Sequence, residues 1–359
     1  MIDYYFSVAK VLFFAGLCAF LSLFFAPILI KFLERIDFRK KNARTKAISG
    51  EKAEIFHSLH KEREISVVRG GGILIWLSLT FVIFFTHFLA NLTQIWWIKK
   101  LDFLSRKETW LPLFALISAS LIGLLDDYLT VRNKGTYLGG GLGFWRRFFV
   151  VFLIGLVGGL WFYYKLNWTT VHVPLLFNFP AGIDVDIGFF IIPLFILVAL
   201  GCWAGGVVDG LDGLAGGVFA SLFGGFAILA FLQGKIDLAT FSASICGSLL
   251  AFLWYNVPPA RFYMGETGSM GLTVTLAVLA FLTDSVLVLP LMAGILVIEA
   301  GSVILQLLSK KFLKRKIWLS TPIHHHFEAK GWLPYQITMR FWILSFVFVI
   351  LGVVIRILK

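Results

Sequence analysis

Long apolar runs recur from one end of this 359-residue chain to the other, and nothing else in it constrains the fold as strongly. A helix needs roughly 20 apolar residues to cross the hydrocarbon core of a bilayer. Runs at about 9–33, 72–92, 110–128, 146–164, 188–204, 214–233, 240–257, 270–288, 290–309 and 338–357 therefore predict about ten transmembrane helices. The eighth and ninth are divided only around Pro290. No polar block between the runs is large enough for a separate domain, so residues 1–359 read as one all-α, polytopic membrane domain. Composition agrees, with 59% hydrophobic and 14% charged residues and a mean hydropathy of +0.87. Soluble chains carry about 25% charge. The first run, Val11 to Ile30, has no basic region before it and no small-residue cleavage site after it, which predicts a retained span.

Orientation follows from lysine and arginine. Arg35, Arg39, Lys40, Lys41, Arg44, Lys46, Lys52, Lys61, Arg63 and Arg69 crowd the first loop, and Lys310, Lys311, Lys314, Arg315, Lys316 and Lys330 the last. The positive-inside bias puts both loops in the cytoplasm and both termini outside. Five cytoplasmic loops result, at about 34–71, 129–145, 205–213, 258–269 and 310–337. The net charge of +12 belongs to these loops and to anionic lipid or substrate; no nucleic-acid partner is expected. Cys18, Cys202 and Cys246 lie in apolar runs without metal-ligand spacing.

The residues that could do chemistry fall in those same loops. Asp126 and Asp127 end the third run. Adjacent carboxylates at a membrane boundary oppose each other's ionisation and invite a divalent cation or a basic partner. A solvated helix end is the plainer account of a single such acid. Asp209 and Asp212 lie in Val-Val-Asp-Gly-Leu-Asp-Gly-Leu-Ala. If helical, their spacing puts both on one face; a tight glycine-rich turn is the alternative, and it leaves two acids between apolar runs unexplained. Glu266 sits among small residues in Met-Gly-Glu-Thr-Gly-Ser, which could leave amide groups free near an anion. His324, His325 and His326 are consecutive, so they cannot all face one ion from a regular helix or strand. Phosphate or base recognition by one or two imidazoles is as plausible as zinc. Carboxylates with a metal and basic groups fit phosphoryl transfer, where positioning and electrostatics carry catalysis. No nucleotide-binding P-loop, Gly-x-Ser-x-Gly elbow or His-Glu-x-x-His helix is present.

Over nearly its whole length the chain resembles the polyprenyl-phosphate N-acetylhexosamine 1-phosphate transferases, and within them the phospho-N-acetylmuramoyl-pentapeptide branch. The most specific string is Pro322-Ile323-His324-His325-His326-Phe327-Glu328, followed by Lys330-Gly331-Trp332 and Arg340-Phe341-Trp342. Leu125-Asp126-Asp127-Tyr128, Asp209 to Ala215, and Phe252 to Asn256 match as well. The resemblance implies a multi-pass enzyme of the bacterial inner membrane with its active site facing the cytoplasm. The implied reaction joins UDP-N-acetylmuramoyl-pentapeptide to undecaprenyl phosphate, with Mg²⁺, giving lipid I and UMP. Asp126 and Asp127 would serve the lipid phosphate, Asp209 and Asp212 the nucleotide or the metal, and Asp126, Asp127 and Glu266 would hold Mg²⁺. His324 would act in catalysis, with His325, His326 and Asn256 binding substrate. The resemblance leaves open which carboxylate is base, nucleophile or metal ligand, and suggests a homodimer.

Several positions depart from the family pattern. Glu266 stands where aspartate is usual. Arg69 lies in a segment where a lysine is expected, and the two are not equivalent. Trp203 to Val208 lacks the usual asparagines, and Thr130 replaces a lysine that Arg132 or Lys134 could substitute. These changes keep a sister transferase using another UDP-sugar, or an inactive scaffolding paralogue, as alternatives. A transporter is disfavoured: there is no internal repeat, and the acids lie at one face instead of mid-membrane.

Overall fold

The computed structural model describes residues 2–41, 65–104, 107–134, 141–174 and 182–358. Arg44, Lys46, Lys52, Lys61 and Arg63 of the first basic loop lie outside the described residues. The chain is an all-α, polytopic membrane protein. Its helices are α1 (Ile2–Arg35), α2 (Gly72–Leu92), α3 (Trp96–Leu101), α4 (Lys107–Val131), α5 (Phe144–Leu160) and α6 (Ile191–Ala204). They continue as α7 (Leu214–Leu232), α8 (Ile236–Asn256), α9 (Glu266–Leu282), α10 (Leu289–Met292), α11 (Gly294–Leu308), α12 (Ile323–Ala329) and α13 (Pro334–Ile357). One small antiparallel hairpin, β1 (Thr170–Val173) with β2 (Ile183–Asp186), was not expected from the apolar pattern.

Among the described residues, eight helices are long and apolar enough to cross a membrane, against the ten predicted. The difference falls on the eighth and ninth runs. The eighth becomes α9, 17 residues long; the ninth becomes α11, 15 residues long, extended by a π turn over Ser309–Leu313. Between them Pro290 opens the single turn α10 instead of ending a long helix. α9 is packed among longer helices, so its length answers to protein neighbours more than to lipid, whereas α11 exposes Val297, Ile304 and Leu305 and runs on through the π turn to Leu313. Every residue of α9 after Glu266 is buried, and its hydroxyls are satisfied internally, as in Thr273 Oγ1 donating to the Ser269 carbonyl at 2.7 Å. Around it, α4 and α6 pack on α9, α1 on α8, α8 on α7, and α13 on α7. The outer helices instead expose large apolar side chains such as Phe20, Phe81 and Phe149, the pattern expected where lipid is the solvent.

The hairpin marks the end of the bundle remote from the acids. The His172 N–H donates to Asp284 just past the C-terminus of α9, whereas Glu266 opens that helix about 25 Å away by helical rise.

Candidate active site

The N-terminus of α9 is the centre of the site. Gly265 precedes the helix at φ +74°, a left-handed conformation that glycine alone adopts without strain, and a side chain there would meet the Asp127 carboxylate. The turn aims unsatisfied amides outward. The Thr267 N–H donates to Asp127 Oδ2 at 3.0 Å, and the Gly265 N–H to Asp209 Oδ2 at 3.1 Å. Helix starts attract carboxylates because their N–H groups and dipole are positive.

Asp126 and Asp127 lie on the last turns of α4 and point apart, as neighbours on a helix must. Asp126 accepts from the Leu142 N–H at 2.6 Å and lies 3.8 Å from Arg147 Nε. Asp127 is fully buried, with its Oδ1 3.5 Å from Arg69 Nη1. Glu266, the first residue of α9, takes Arg147 Nη1 at 2.6 Å. Arg69 reaches the site because its strand-like segment is stitched in place. The Tyr263 N–H donates to the Val68 carbonyl, and the Gly71 N–H to the Tyr263 carbonyl, both at 2.8 Å. Four acids from three segments thus converge, with two arginines between them.

Burial pushes the Asp209 carboxyl up to about 6, with Arg69 and the Gly265 N–H pulling against it. Asp212 takes a different course. Of the two readings of this segment, one helical face or a glycine-rich turn, the structure has the turn: residues after Val208 leave the helix and Gly213 turns at φ +77°. Asp212 accepts from the Ala260 N–H at 3.2 Å, a different partner from that of Asp209. Asn256, expected at the substrate, is buried and its amide ties two segments together: Oδ1 accepts from the Gly213 N–H at 3.0 Å and Nδ2 donates to the Phe262 carbonyl at 2.8 Å. It braces the two loops. Arg132 and Lys134 are exposed beyond α4, with Arg132 over the Tyr128 ring, and no described contact joins either to the acids.

A divalent cation suits these residues. Asp127 Oδ1 is buried without a hydrogen-bond donor, and hard carboxylate oxygens are the ligands Mg²⁺ prefers.

A family model described as glycosyl transferase family 4 matches residues 109–284, the segment that carries all four acids. The phospho-N-acetylmuramoyl-pentapeptide-transferase of Bacillus velezensis is 34% identical over 350 residues, covering 97% of this chain and 98% of that protein. Those of Bacillus subtilis and Anoxybacillus flavithermus are 33% and 30% identical, with the same coverage. The chain belongs to the phospho-N-acetylmuramoyl-pentapeptide-transferase family.

In this transferase the three consecutive histidines do separate, on the short helix α12. His324 is fully buried and His325 nearly so, with their rings 4.1 Å apart. Each Nδ1 meets a carboxylate: Glu299 Oε2 at 2.9 Å for His324, and Glu328 Oε2 at 2.7 Å for His325. His324 Nε2 is left without a hydrogen bond and faces Gly210, where a Cβ would stand only 2.2 Å away. His326 instead accepts from the Leu319 N–H at 3.2 Å, beside an open pocket lined by Lys316, Trp318 and Lys330. Burial holds its pKa below the ordinary histidine value, with Lys330 acting the same way.

Three residues that contact the candidate site were given no role from sequence: Arg147, Glu299 and Glu328. Arg147 looks like one more basic residue flanking a span. Glu299 did carry a signal, since it is a lone acid inside the apolar run of α11, and intramembrane acids are costly unless partnered.

Proposed function

We infer that this chain transfers phospho-N-acetylmuramoyl-pentapeptide from its UDP carrier to undecaprenyl phosphate, giving lipid I and UMP. The observation that carries this reading is the convergence of Asp126, Asp127, Asp209 and Glu266, with Arg69 and Arg147, around the start of α9. That constellation occurs in a chain matching its relatives over 97% of its length. The basic loops favour a cytoplasmic placement of this end of the bundle, in a bacterial inner membrane.

Two anionic substrates must meet here, a lipid phosphate and a nucleotide diphosphate. Bringing them together is an electrostatic problem before it is a covalent one. Mg²⁺, held by Asp126, Asp127 and Glu266, would supply positive charge to the diphosphate. Arg69 stands 3.5 Å from Asp127 and supplies a counter-charge to that buried carboxyl beside the lipid phosphate. Asp209, fixed by the Gly265 N–H, borders the same space from the nucleotide side. His324 presents Nε2 toward the turn that follows Asp209, with Glu299 orienting the ring from behind. Burial of Asp126, Asp127 and His324 limits the access of water, which would otherwise compete with the lipid phosphate as acceptor.

The test is reconstitution of the purified protein with radiolabelled UDP-N-acetylmuramoyl-pentapeptide, undecaprenyl phosphate and Mg²⁺. Lipid-linked product and UMP in equal amounts are expected, and chelation should stop both. Transfer from another UDP-N-acetylhexosamine in preference would assign the chain to a sister specificity. No transfer from any donor would sink the reading.

A further inference from the structure

Arg147 is placed where the proposed divalent cation would need to be, and this has consequences for how cation and substrate bind. Its Nη1 lies 2.6 Å from Glu266 Oε1 and its Nε 3.8 Å from Asp126 Oδ1, so one guanidinium bridges two of the proposed metal ligands. The side chain is 12% exposed and Glu266 29%, so Glu266 is more accessible than the buried Asp126 and Asp127. The other acids have further donors: Leu142 N–H for Asp126, Thr267 N–H and Arg69 for Asp127, Gly265 N–H for Asp209. For Glu266 the hydrogen bond found among the described residues is the one to Arg147.

We propose that Arg147 is an internal counter-ion that the divalent cation displaces from Glu266, after which its guanidinium pairs with the diphosphate of the donor substrate. The proposal rests on the metal-site reading above. Glu266 and Asp126 oppose each other electrostatically, so in the metal-free protein a resident cation is needed to keep them together. A divalent ion supplies more charge to the same oxygens, but it cannot share them closely with a guanidinium without strong repulsion at low dielectric. Entry of the ion therefore requires Arg147 to turn away. A planar fork of N–H donors then fits phosphate oxygens well, and the donor diphosphate is the anion brought to this end of the bundle. Cation and nucleotide thus favour one another: each gives Arg147 or Glu266 the partner that the other has taken.

The experiment measures Mn²⁺ binding to the full-length protein in detergent, without substrate, from the electron paramagnetic resonance signal of free Mn²⁺. Arg147→Gln is expected to bind Mn²⁺ roughly tenfold more tightly than wild type, since it removes a unit positive charge that competes with the ion for the same oxygens. Glu266→Asp, too short to hold Arg147 at the same distance, is expected to tighten Mn²⁺ binding as well. The double variant should gain less than the sum of the two, because both break one contact. Equal or weaker binding in Arg147→Gln and in Glu266→Asp would overturn the role of Arg147 while leaving the metal site standing. Mn²⁺ binding to none of the proteins would overturn the site itself. Should Arg147→Gln fail to fold, Arg147→Met, which keeps the apolar stem without the charge, decides in its place.

Discussion

Glu299 and His324, 25 residues apart, meet inside the bundle with Oε2 2.9 Å from Nδ1 and no exposure of either side chain. A lone carboxylate in that position would be costly, and so would a lone imidazolium; each makes the other tolerable. The pair also orients the ring, because Nδ1 is engaged and Nε2 is thereby turned to Gly210. Glu299→Ala should therefore lower thermal stability and reduce turnover, on the order of 10-fold to 100-fold, the range seen when an orienting partner is removed. Glu299→Gln keeps a hydrogen-bond acceptor of the same shape and should recover most of the stability but less of the turnover. Thermal melts and initial rates on both variants separate the two effects.

The packing of His324 against Gly210 yields a sharper case. A methyl group at position 210 would stand 2.2 Å from Nε2, and backbone and ring would have to shift apart. Gly210→Ala should cost nearly as much turnover as His324→Ala. The double variant should be no worse than either single one, because both damage the same arrangement. Additive losses would show that residue 210 acts on something other than this ring.

Asp209 predicts a dependence on pH. Its carboxyl is pushed up by burial to about 6 from the ordinary 3.8. The folded protein therefore binds this proton more tightly than the unfolded chain. Its contribution to stability is full below the ordinary value and is lost as pH rises through about 6. Asp209→Asn should accordingly melt higher than wild type at pH 7.5, with the gap narrowing toward pH 5. If the ionised form is needed for transfer, activity in the wild type rises through the same region, and the Asn variant is inactive throughout. Melting curves and pH–rate profiles test both statements.

Asp126 and Asp127 are expected to be indispensable separately, because they face different partners. Asp126 answers to Leu142 and Arg147, Asp127 to Thr267 and Arg69. Asp126→Asn and Asp127→Asn should each lower turnover by 100-fold or more, taking roughly 3 kcal/mol for a lost catalytic electrostatic contact. Unchanged activity in the double variant would remove the acid pair from the chemistry.

Run length and residue chemistry were enough to name the solvent of this protein and to single out its acids. Apolar run length is a local property measured against a fixed bilayer thickness, so the long helices were legible residue by residue. Asp126, Asp127, Asp209 and Glu266 were legible because acids near apolar spans are rare and costly. Tertiary structure decided who meets whom. Arg147 and Glu266 are 119 positions apart and Glu299 and His324 are 25, and no local pattern links either pair. It also chose the turn over the helix between Asp209 and Asp212, so the two acids take different backbone partners, Gly265 and Ala260. Asn256 likewise proved to join the Gly213 turn to Phe262, a contact no local pattern announces. Helix α9 fell below span length for a related reason: its surroundings are other helices, and only packing decides where such a helix can end.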